Sequence, residues 1–259
     1  MKDISQTNFH ICAYCGKEYK SDKPFSHIIP RQFFRRFKQG INNKDAYSTY
    51  YERLTQREPR EYLLCHECEK VFCDWENKFA TNITNKFYKE SLPSSLEIDV
   101  DVKLGALSVL WRILYCWVVS NKTKQGTLID SDVAFLSKYE KGWLEILKHK
   151  KDFTRDEANI FLIPVDCIDG NNQALQNYKK YPGIMSNVVF YDQGGGKGYF
   201  CIRCLAHKVL IFAYLTPAIT LPKDFSIHNR NIQIKKSFMP PAIECVFDDY
   251  AKDATTIKI

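Results

Sequence analysis

The chain has 259 residues, a length that suits one large domain or two modest ones. Hydrophobic residues make up 45% of it and aromatic residues 14%, which is enough for a buried core, so global disorder is not expected. Lys and Arg total 37 against 30 Asp and Glu, and the net charge of +7 permits a polyanionic partner without demanding one.

The cysteine content and the apolar runs point to a compartment. Ten cysteines occur in a chain that is too long to need disulfides for stability. The first residues, MKDISQTNFH, contain no apolar stretch of the kind found in secretion signals. The longest apolar run, Leu104–Val119, is interrupted by Arg112 and is too short to cross a bilayer. We therefore expect a cytoplasmic protein without a membrane partner, in which paired cysteines bind metal.

Two CxxC pairs mark the N-terminal part of the chain. Two intervening residues allow both thiolates of a pair to reach one tetrahedral ion, and Gly16 suits the tight turn after the first pair. Two such pairs complete a four-thiolate shell, which predicts a structural zinc ion. Two alternatives stay open: four buried or free thiols, and His66 in place of one cysteine. The predicted zinc ligands are Cys12, Cys15, Cys65 and Cys68.

Three segments, CAYCG, FSHIIPRQF and LLCHECEKVF, follow one another in this order. Their order resembles that of the HNH endonucleases of the His-Me finger superfamily that carry a zinc-knuckle pair. The resemblance covers about residues 10–90. It implies a zinc-bound ββα nuclease domain over residues 1–92, in which a hairpin presents a histidine and a helix follows the second CxxC pair.

The resemblance also implies roles for single residues. His27 takes the position of the general base, a role that histidine performs near neutral pH. A catalytic magnesium or manganese ion is expected beside it, and the positions that match the family's metal ligands are Ser26 and Glu69. Glu76 lies about two helical turns after Glu69 and is a further candidate ligand. The family's middle asparagine is missing, with Arg60 in its region. The alternative is that His27 is structural in an inactive zinc module.

A wider pattern places the chain near a set of uncharacterised bacterial proteins. It is similar to them in S-H-I-I-P, L-L-C-x-x-C-E, a following W-E and a later W-R. These correspond to Ser26–Pro30, Leu63–Glu69, Trp75–Glu76 and Trp111–Arg112. By association alone, the similarity suggests an anti-phage defence effector. Arg112 itself lies in an apolar run, so we expect it to pair with a buried carboxylate or to lie at an interface.

A basic and aromatic stretch follows His27 directly. Its phenylalanines fit one face of a helix, and its cations surround the rest, near the expected scissile phosphate. This favours binding to nucleic acid, with DNA expected in preference to RNA. The alternative is an ordinary amphipathic helix with a solvated basic face. The candidate nucleic-acid contacts are Arg31, Arg35, Arg36 and Lys38.

Beyond a polar linker at 91–95, the pattern changes. Three- and four-residue spacing of apolar residues predicts a buried helix over 104–118, and a second helix is predicted over 130–150 with Asp130 or Ser131 as its N-cap. From about 159, short runs rich in Val, Ile, Phe and Tyr predict strands. A third CxxC, Cys201 to Cys204 with His207 nearby, lies in such a run, and its thiols are expected to pack in the core; a second zinc site and a redox role are the alternatives.

The predicted fold is α+β. The zinc-bound N-terminal domain is followed by a helical segment and a mainly antiparallel β region, with residues 96–259 forming a second domain that binds a partner or a ligand. The favoured function is a metal-dependent endonuclease, with a regulatory protein partner as a possible addition. One alternative is a non-catalytic zinc module that docks nucleic acid or protein. Another is a different enzyme activity in the C-terminal domain.

Overall fold

The structure is a computed structural model. The residues that it describes are 8–40, 46–48, 53–55, 58–88, 93–120, 122–123, 126–169, 172–180, 184–192, 198–206, 208–215, 225–234, 237–238 and 246–252. Helices and antiparallel strands occur together along the chain, which confirms the predicted α+β class.

The N-terminal third alternates short strands with two helices. Its elements are β1 (Asn8–Ile11), β2 (Glu18–Ser21), β3 (Ser26–His27), α1 (Arg31–Gly40), β4 (Ala46–Ser48), β5 (Arg53–Thr55), β6 (Arg60–Glu61) and α2 (His66–Phe79). β1 and β2 pair antiparallel on either side of the first CxxC turn, where Gly16 has a φ of 72°, a left-handed conformation that glycine adopts at little cost. β3 pairs antiparallel with β6, and α2 begins directly after Cys65.

The middle of the chain is mainly helical. It contains a π-helical turn (Ala80–Thr84), α3 (Asn85–Phe87), β7 (Ser95–Glu97), α4 (Val100–Ser120), β8 (Lys122–Thr123), β9 (Gly126–Thr127) and α5 (Asp130–His149). Both predicted helices are confirmed. The predicted N-cap of α5 is wrong, because Asp130 is already helical and Ile129 caps the helix without a side-chain hydrogen bond. The carboxylates of the first turn face the helix dipole instead.

Helix α4 is the central element of the core. Every residue from Val102 to Leu114 is buried, as expected of a helix that is covered on all sides. Among the described helices, α4 alone is long and apolar enough for a membrane span, but 72% of that apolar window is buried inside the protein, as in the core helix of a globular protein. Its Trp111 donates an indole hydrogen bond of 2.9 Å to Glu140 on α5, which fixes these two helices together.

The last part of the chain supplies most of the strands. Its elements are β10 (Asn159–Pro164), a 3₁₀ turn (Val165–Cys167), β11 (Ile168–Asp169), α6 (Gln173–Lys180), β12 (Ile184–Asp192), β13 (Gly198–Ala206), β14 (Val209–Tyr214), β15 (Asn231–Gln233) and β16 (Ser237–Phe238). Within the described residues, six strands form one sheet in the order β10–β14–β13–β12–β4–β5. The first four pair antiparallel, which confirms the predicted antiparallel β region.

The sheet also includes chain from between the two CxxC pairs. β4 lies parallel to β12, with Ser48 opposite Ile184, and β5 pairs antiparallel with β4. One continuous cluster of buried apolar side chains extends from Cys12 to Tyr250. The predicted domains, residues 1–92 and 96–259, therefore share a sheet and a core, and their independence stays a prediction.

A close helix–helix contact joins these two parts. A Cβ atom added at Gly105 of α4 would lie 2.6 Å from the Cβ of Phe79 and 2.8 Å from the carbonyl oxygen of Trp75, both on α2. Real Cβ atoms do not come so near, so glycine is what allows the two backbones to approach. Arg112 lies two turns further along α4 and is brought against α2 by the same contact.

Candidate functional site

Four cysteines meet at the beginning of α2. The sulfur atoms of Cys12, Cys15, Cys65 and Cys68 all lie within 4.8 Å of one another, and the Cys15 and Cys65 sulfurs are 3.9 Å apart. This separation is too long for a disulfide but matches the edge of a tetrahedron with metal–sulfur bonds, which is about 3.8 Å. The predicted coordination shell is thus present and could hold one metal ion with no open position.

The backbone around the cluster is held in place from both sides. Ala13 donates a 2.9 Å hydrogen bond to the carbonyl oxygen of Leu63, which ties the first CxxC turn to the chain before the second.

Burial, followed by the neighbouring thiols, raises the pKa of Cys68 well above its ordinary range. Four sulfurs this close therefore need a cation to exist as thiolates. His66, the alternative ligand, stacks on Phe25 with ring centroids 4.3 Å apart and lies outside the cluster.

His27 lies on the β3–β6 ribbon beside this cluster. Its Nε2 is 2.8 Å from Oε2 of Glu58, and the two side chains are 15% and 12% exposed. Burial lowers the pKa of His27, with Arg60 adding to the effect and Glu58 opposing it. The imidazole is therefore neutral near pH 7. A carboxylate only accepts hydrogen bonds, so the neutral ring carries its proton on Nε2 and leaves Nδ1 as an acceptor.

Glu58 was missed by the sequence analysis. Burial acts to raise its pKa, but hydrogen bonds from His27 and Arg60 outweigh burial and lower the pKa below its usual value. Arg60 lies 3.2 Å from the carboxylate and Lys38 lies 3.6 Å from it. The resemblance implied an orienting asparagine near Arg60, whereas the group that contacts the histidine lies two residues earlier, at a position that no motif spacing indicates.

Ser26 is turned into the protein. It is fully buried, and its hydroxyl accepts a 3.0 Å hydrogen bond from the amide of Leu64 and lies 3.4 Å from the carbonyl oxygen of the same residue. Both contacts join strand β3 to the segment before the second CxxC pair. The hydroxyl thus holds the ribbon in place and does not face an open site.

Glu69 and Glu76 lie on one face of α2, and both contact Arg112 of α4. One guanidinium nitrogen, Nη1, lies 3.3 Å from each carboxylate oxygen of Glu69, and the other, Nη2, lies 3.0 Å from Oε1 of Glu76. Nη1 also donates a 2.7 Å hydrogen bond to the carbonyl oxygen of His27. Arg112 is completely buried, and burial raises the pKa of Glu76 to about 7. Of the two expectations for Arg112, pairing with a buried carboxylate is the one observed.

The predicted catalytic ion does not fit this donor set. Magnesium and manganese need oxygen atoms that converge at about 2.0–2.2 Å and can shed their other partners. The hydroxyl of Ser26 is bound to Leu64, and the carboxylates of Glu69 and Glu76 already surround a cation. In the part of the chain that the structure describes, only the four cysteines form a group of three or more potential metal ligands. The described oxygen donors of Ser26, Glu69 and Glu76 therefore offer no ready site for a divalent ion.

Helix α1 brings one of its cations, Lys38, close to the partner of the histidine, Glu58. Phe33 and Phe34 are buried against the core, whereas Arg31 and Arg35 are exposed. Helix α1 is therefore amphipathic, as expected. Its Lys38 extends towards the carboxylate of Glu58. The side chain of Arg36 lies outside the described part of the structure, and its role stays a prediction.

A polar groove of about 190 Å³ runs between α1 and the end of α2. Its described lining contains no acidic residue and consists of Gln32, Arg35, Asn77, Ala80, Thr81 and Asn85. The buried amide nitrogen of Gln32 has no hydrogen-bond partner within the described residues. Amide groups beside one guanidinium are suited to a ligand with a phosphate and hydrogen-bonding edges.

The third CxxC does not form a site among the described residues. Cys201 and Cys204 lie on β13 and are fully buried, and an odd spacing of three places them on opposite faces of the strand. Burial raises the pKa of Cys204 to about 12. Both thiols act as packing groups, as expected.

Comparison with known proteins gives no relative. No protein-family model matches the chain, and no curated protein and no solved structure is similar to it.

Proposed function

We propose that the chain is an HNH-type nuclease that cleaves phosphodiester bonds of nucleic acid, with His27 as the general base and a structural zinc ion on the four cysteines. The observation that carries the proposal is the 2.8 Å contact between Nε2 of His27 and Oε2 of Glu58. His27 lies on the β3–β6 ribbon, and the helix that follows this ribbon, α2, begins at the cysteine cluster. The chain order of the first cysteine pair, the histidine strand, the second pair and helix α2 supports the proposal, although the metal-ligand positions that the resemblance implies contact other groups of the protein.

In this proposal Glu58 positions the base and stabilises its protonated form. A neutral His27 with its proton on Nε2 leaves Nδ1 as the acceptor for a proton of water. The hydroxide then attacks the phosphorus, a P–O bond to the sugar breaks, and the leaving sugar oxygen takes up a proton from solvent. The charge of Glu58 favours the imidazolium that results, because opposite charges this close attract strongly in a partly buried site. Glu58 thus does the work that an asparagine does in the family, and it does more, since an amide carries no charge.

The cations around the base favour nucleic acid as the substrate. Arg31 and Arg35 are exposed on the helix that begins four residues after His27, and Arg60 flanks Glu58. Phosphate contacts of this kind give affinity without sequence preference. We propose DNA in preference to RNA. A cytoplasmic location, a regulatory protein partner and a role in phage defence stay predictions.

A second candidate is a zinc module that docks nucleic acid without cleaving it. The docking module is favoured by the environment of the three predicted metal ligands. Ser26, Glu69 and Glu76 all contact other groups inside the protein. An inactive relative of a metal-dependent nuclease would lose its ion in this way. The two candidates make the same binding prediction and differ only in cleavage.

The experiment is cleavage and binding measured together on the zinc-loaded full chain. Supercoiled plasmid DNA and a labelled RNA serve as substrates, with wild type, His27→Ala and Glu58→Gln in parallel, and Lys148→Ala on α5 as a matched surface control. The nuclease proposal expects cleavage that is lost with His27→Ala and reduced with Glu58→Gln, while binding is kept. Binding by all four proteins without cleavage of either substrate would favour the docking module. Cleavage that survives His27→Ala would remove His27 as the base.

A further inference from the structure

The buried guanidinium of Arg112 stands where the sequence led us to expect a metal ion. Its oxygen neighbours are the two carboxylates on α2 and the carbonyl oxygen of His27, all of them supplied by the N-terminal part of the chain. The arginine comes from α4, beyond the predicted linker. A cation from one part of the protein is thus enclosed by oxygen atoms from the other.

The geometry is that of a guanidinium site. The shortest contact is the 2.7 Å hydrogen bond to the backbone carbonyl, and the carboxylate oxygens lie 3.0–3.3 Å from the nitrogens. These are distances of charge-assisted hydrogen bonds and ion pairs. A magnesium ion would need the same oxygens at about 2.1 Å from a single point, and its double charge would face that of the arginine. Both cations cannot occupy this site.

The arginine also has contacts that fix it in place. Its carbon Cζ lies 4.9 Å from the centre of the Phe72 ring, so the ring covers one face of the guanidinium. Nε and Nη2 of Arg112 and Oε1 of Glu76 are buried without a well-aligned hydrogen bond in the described residues, although Nη2 and Oε1 are 3.0 Å apart. The attraction between these two groups is therefore mainly that of charge.

We propose that Arg112 is the resident cation of this site: it replaces a divalent ion between Glu69 and Glu76 and holds the strand of His27 through its carbonyl oxygen. The claim is about binding, so it does not depend on cleavage. It deepens the proposed function in one respect, since a reaction at His27 then proceeds without a divalent ion on these two carboxylates. Arg112 acts on the histidine through the backbone and is a positioning residue.

The test is the binding of Mn²⁺, measured by electron paramagnetic resonance on the zinc-loaded full chain. Wild type is expected to hold no tightly bound Mn²⁺. Arg112→Ala removes the positive charge and frees the oxygens, so its affinity for Mn²⁺ should rise by more than about tenfold. Arg112→Lys keeps a cation in place and should show no gain. Adding Glu69→Gln to Arg112→Ala should abolish the gain.

The variants also guard against misfolding. Zinc content and the circular dichroism spectrum report whether each protein folds. If Arg112→Ala does not fold, Arg112→Met replaces it, because methionine keeps much of the apolar stem of arginine. A wild-type protein that binds Mn²⁺ tightly and loses it with Glu69→Gln would overturn the proposal. So would folded Arg112→Ala and Arg112→Met proteins that gain no affinity. A protein without nuclease activity that behaves as expected here would leave the proposal standing.

Discussion

Helix α2 carries two clusters that differ in how they neutralise their negative groups. At its first turn, four cysteines from two short CxxC turns form a site that could hold an ion from outside. Glu69, in the same first turn, and Glu76, about two turns further, are neutralised by Arg112, which the chain itself provides. The comparison teaches that a cluster of anionic ligands is not by itself a metal site, because a buried cation from a distant helix can complete it as well.

The largest effect is expected at the cluster that depends on an ion. Cys65→Ser removes one of four ligands, and structural zinc contributes about 10 kcal/mol or more to folding in small zinc domains. We expect loss of bound zinc and loss of cooperative unfolding, measured by zinc analysis and thermal denaturation. Cys73→Ser is the matched control, since Cys73 is exposed on the same helix and lies outside the cluster. Equal behaviour of the two variants would show that the cysteines bind no structural ion.

The second effect is expected at the cluster that depends on Arg112. Arg112→Ala leaves two carboxylates, one of them almost fully buried, without a cation, and breaking a buried ion pair costs about 3–5 kcal/mol. Urea denaturation measures the loss in the free energy of unfolding. Lys148→Ala breaks an exposed pair with Glu145 on α5 and should cost less than about 1 kcal/mol. A small loss for both variants would mean that Arg112 is not the partner on which α2 depends.

A third prediction addresses the contact that brings Arg112 to α2. Gly105→Ala places a methyl group against Phe79 and the Trp75 carbonyl, which should cost about 1–3 kcal/mol. Gly142→Ala on α5 is the control, because its new Cβ meets nothing within 4 Å, and alanine in a helix should gain about 0.5–1 kcal/mol. Both are read by the same denaturation experiment. Opposite signs are expected, and a stabilising Gly105→Ala would contradict the close packing of α2 on α4.

The smallest effect is a change in how stability depends on pH, and it concerns His27, whose carbonyl oxygen contacts Arg112. Because the pKa of folded His27 is lowered, the unfolded chain binds more protons between that value and the ordinary 6.5, so stability falls as the pH falls through this window. Glu58, whose pKa is also lowered, adds a loss at lower pH, below its ordinary 4.5. His27→Gln should flatten the part of the profile that lies below pH 6.5. Urea denaturation at a series of pH values measures the profile, and a profile that His27→Gln leaves unchanged would contradict this prediction.

The sequence predicted what depends on short spacings. The two CxxC pairs could be recognised as metal-binding turns because each brings two sulfurs together within one turn. Only the fold shows that the two turns come together in one cluster. The helices over 104–118 and 130–150 followed from apolar periodicity, since core burial repeats with the helical turn. The strands after residue 159 were predicted from short runs rich in Val, Ile, Phe and Tyr.

The rest depended on residues that are far apart in the chain. Arg112 is 85 residues from His27, and no local pattern says which of its two expected environments applies. Glu58 lies in the segment between the CxxC pairs, where the antiparallel register of β3 and β6 alone brings it near the histidine. Ser26 and Glu76 were candidates for a metal site by their positions, but their burial and their partners are set by packing against Leu64 and α4.

The most direct test of the central claim is cleavage of plasmid DNA by zinc-loaded protein at neutral pH, with magnesium present or left out, using wild type and His27→Ala. We expect cleavage by wild type that disappears with His27→Ala and, with magnesium present, is kept by Glu69→Gln, because His27 is the base and Arg112 occupies the position between Glu69 and Glu76. Cleavage that appears only with magnesium and is lost with Glu69→Gln would contradict this expectation, since Glu69 would then bind a divalent ion.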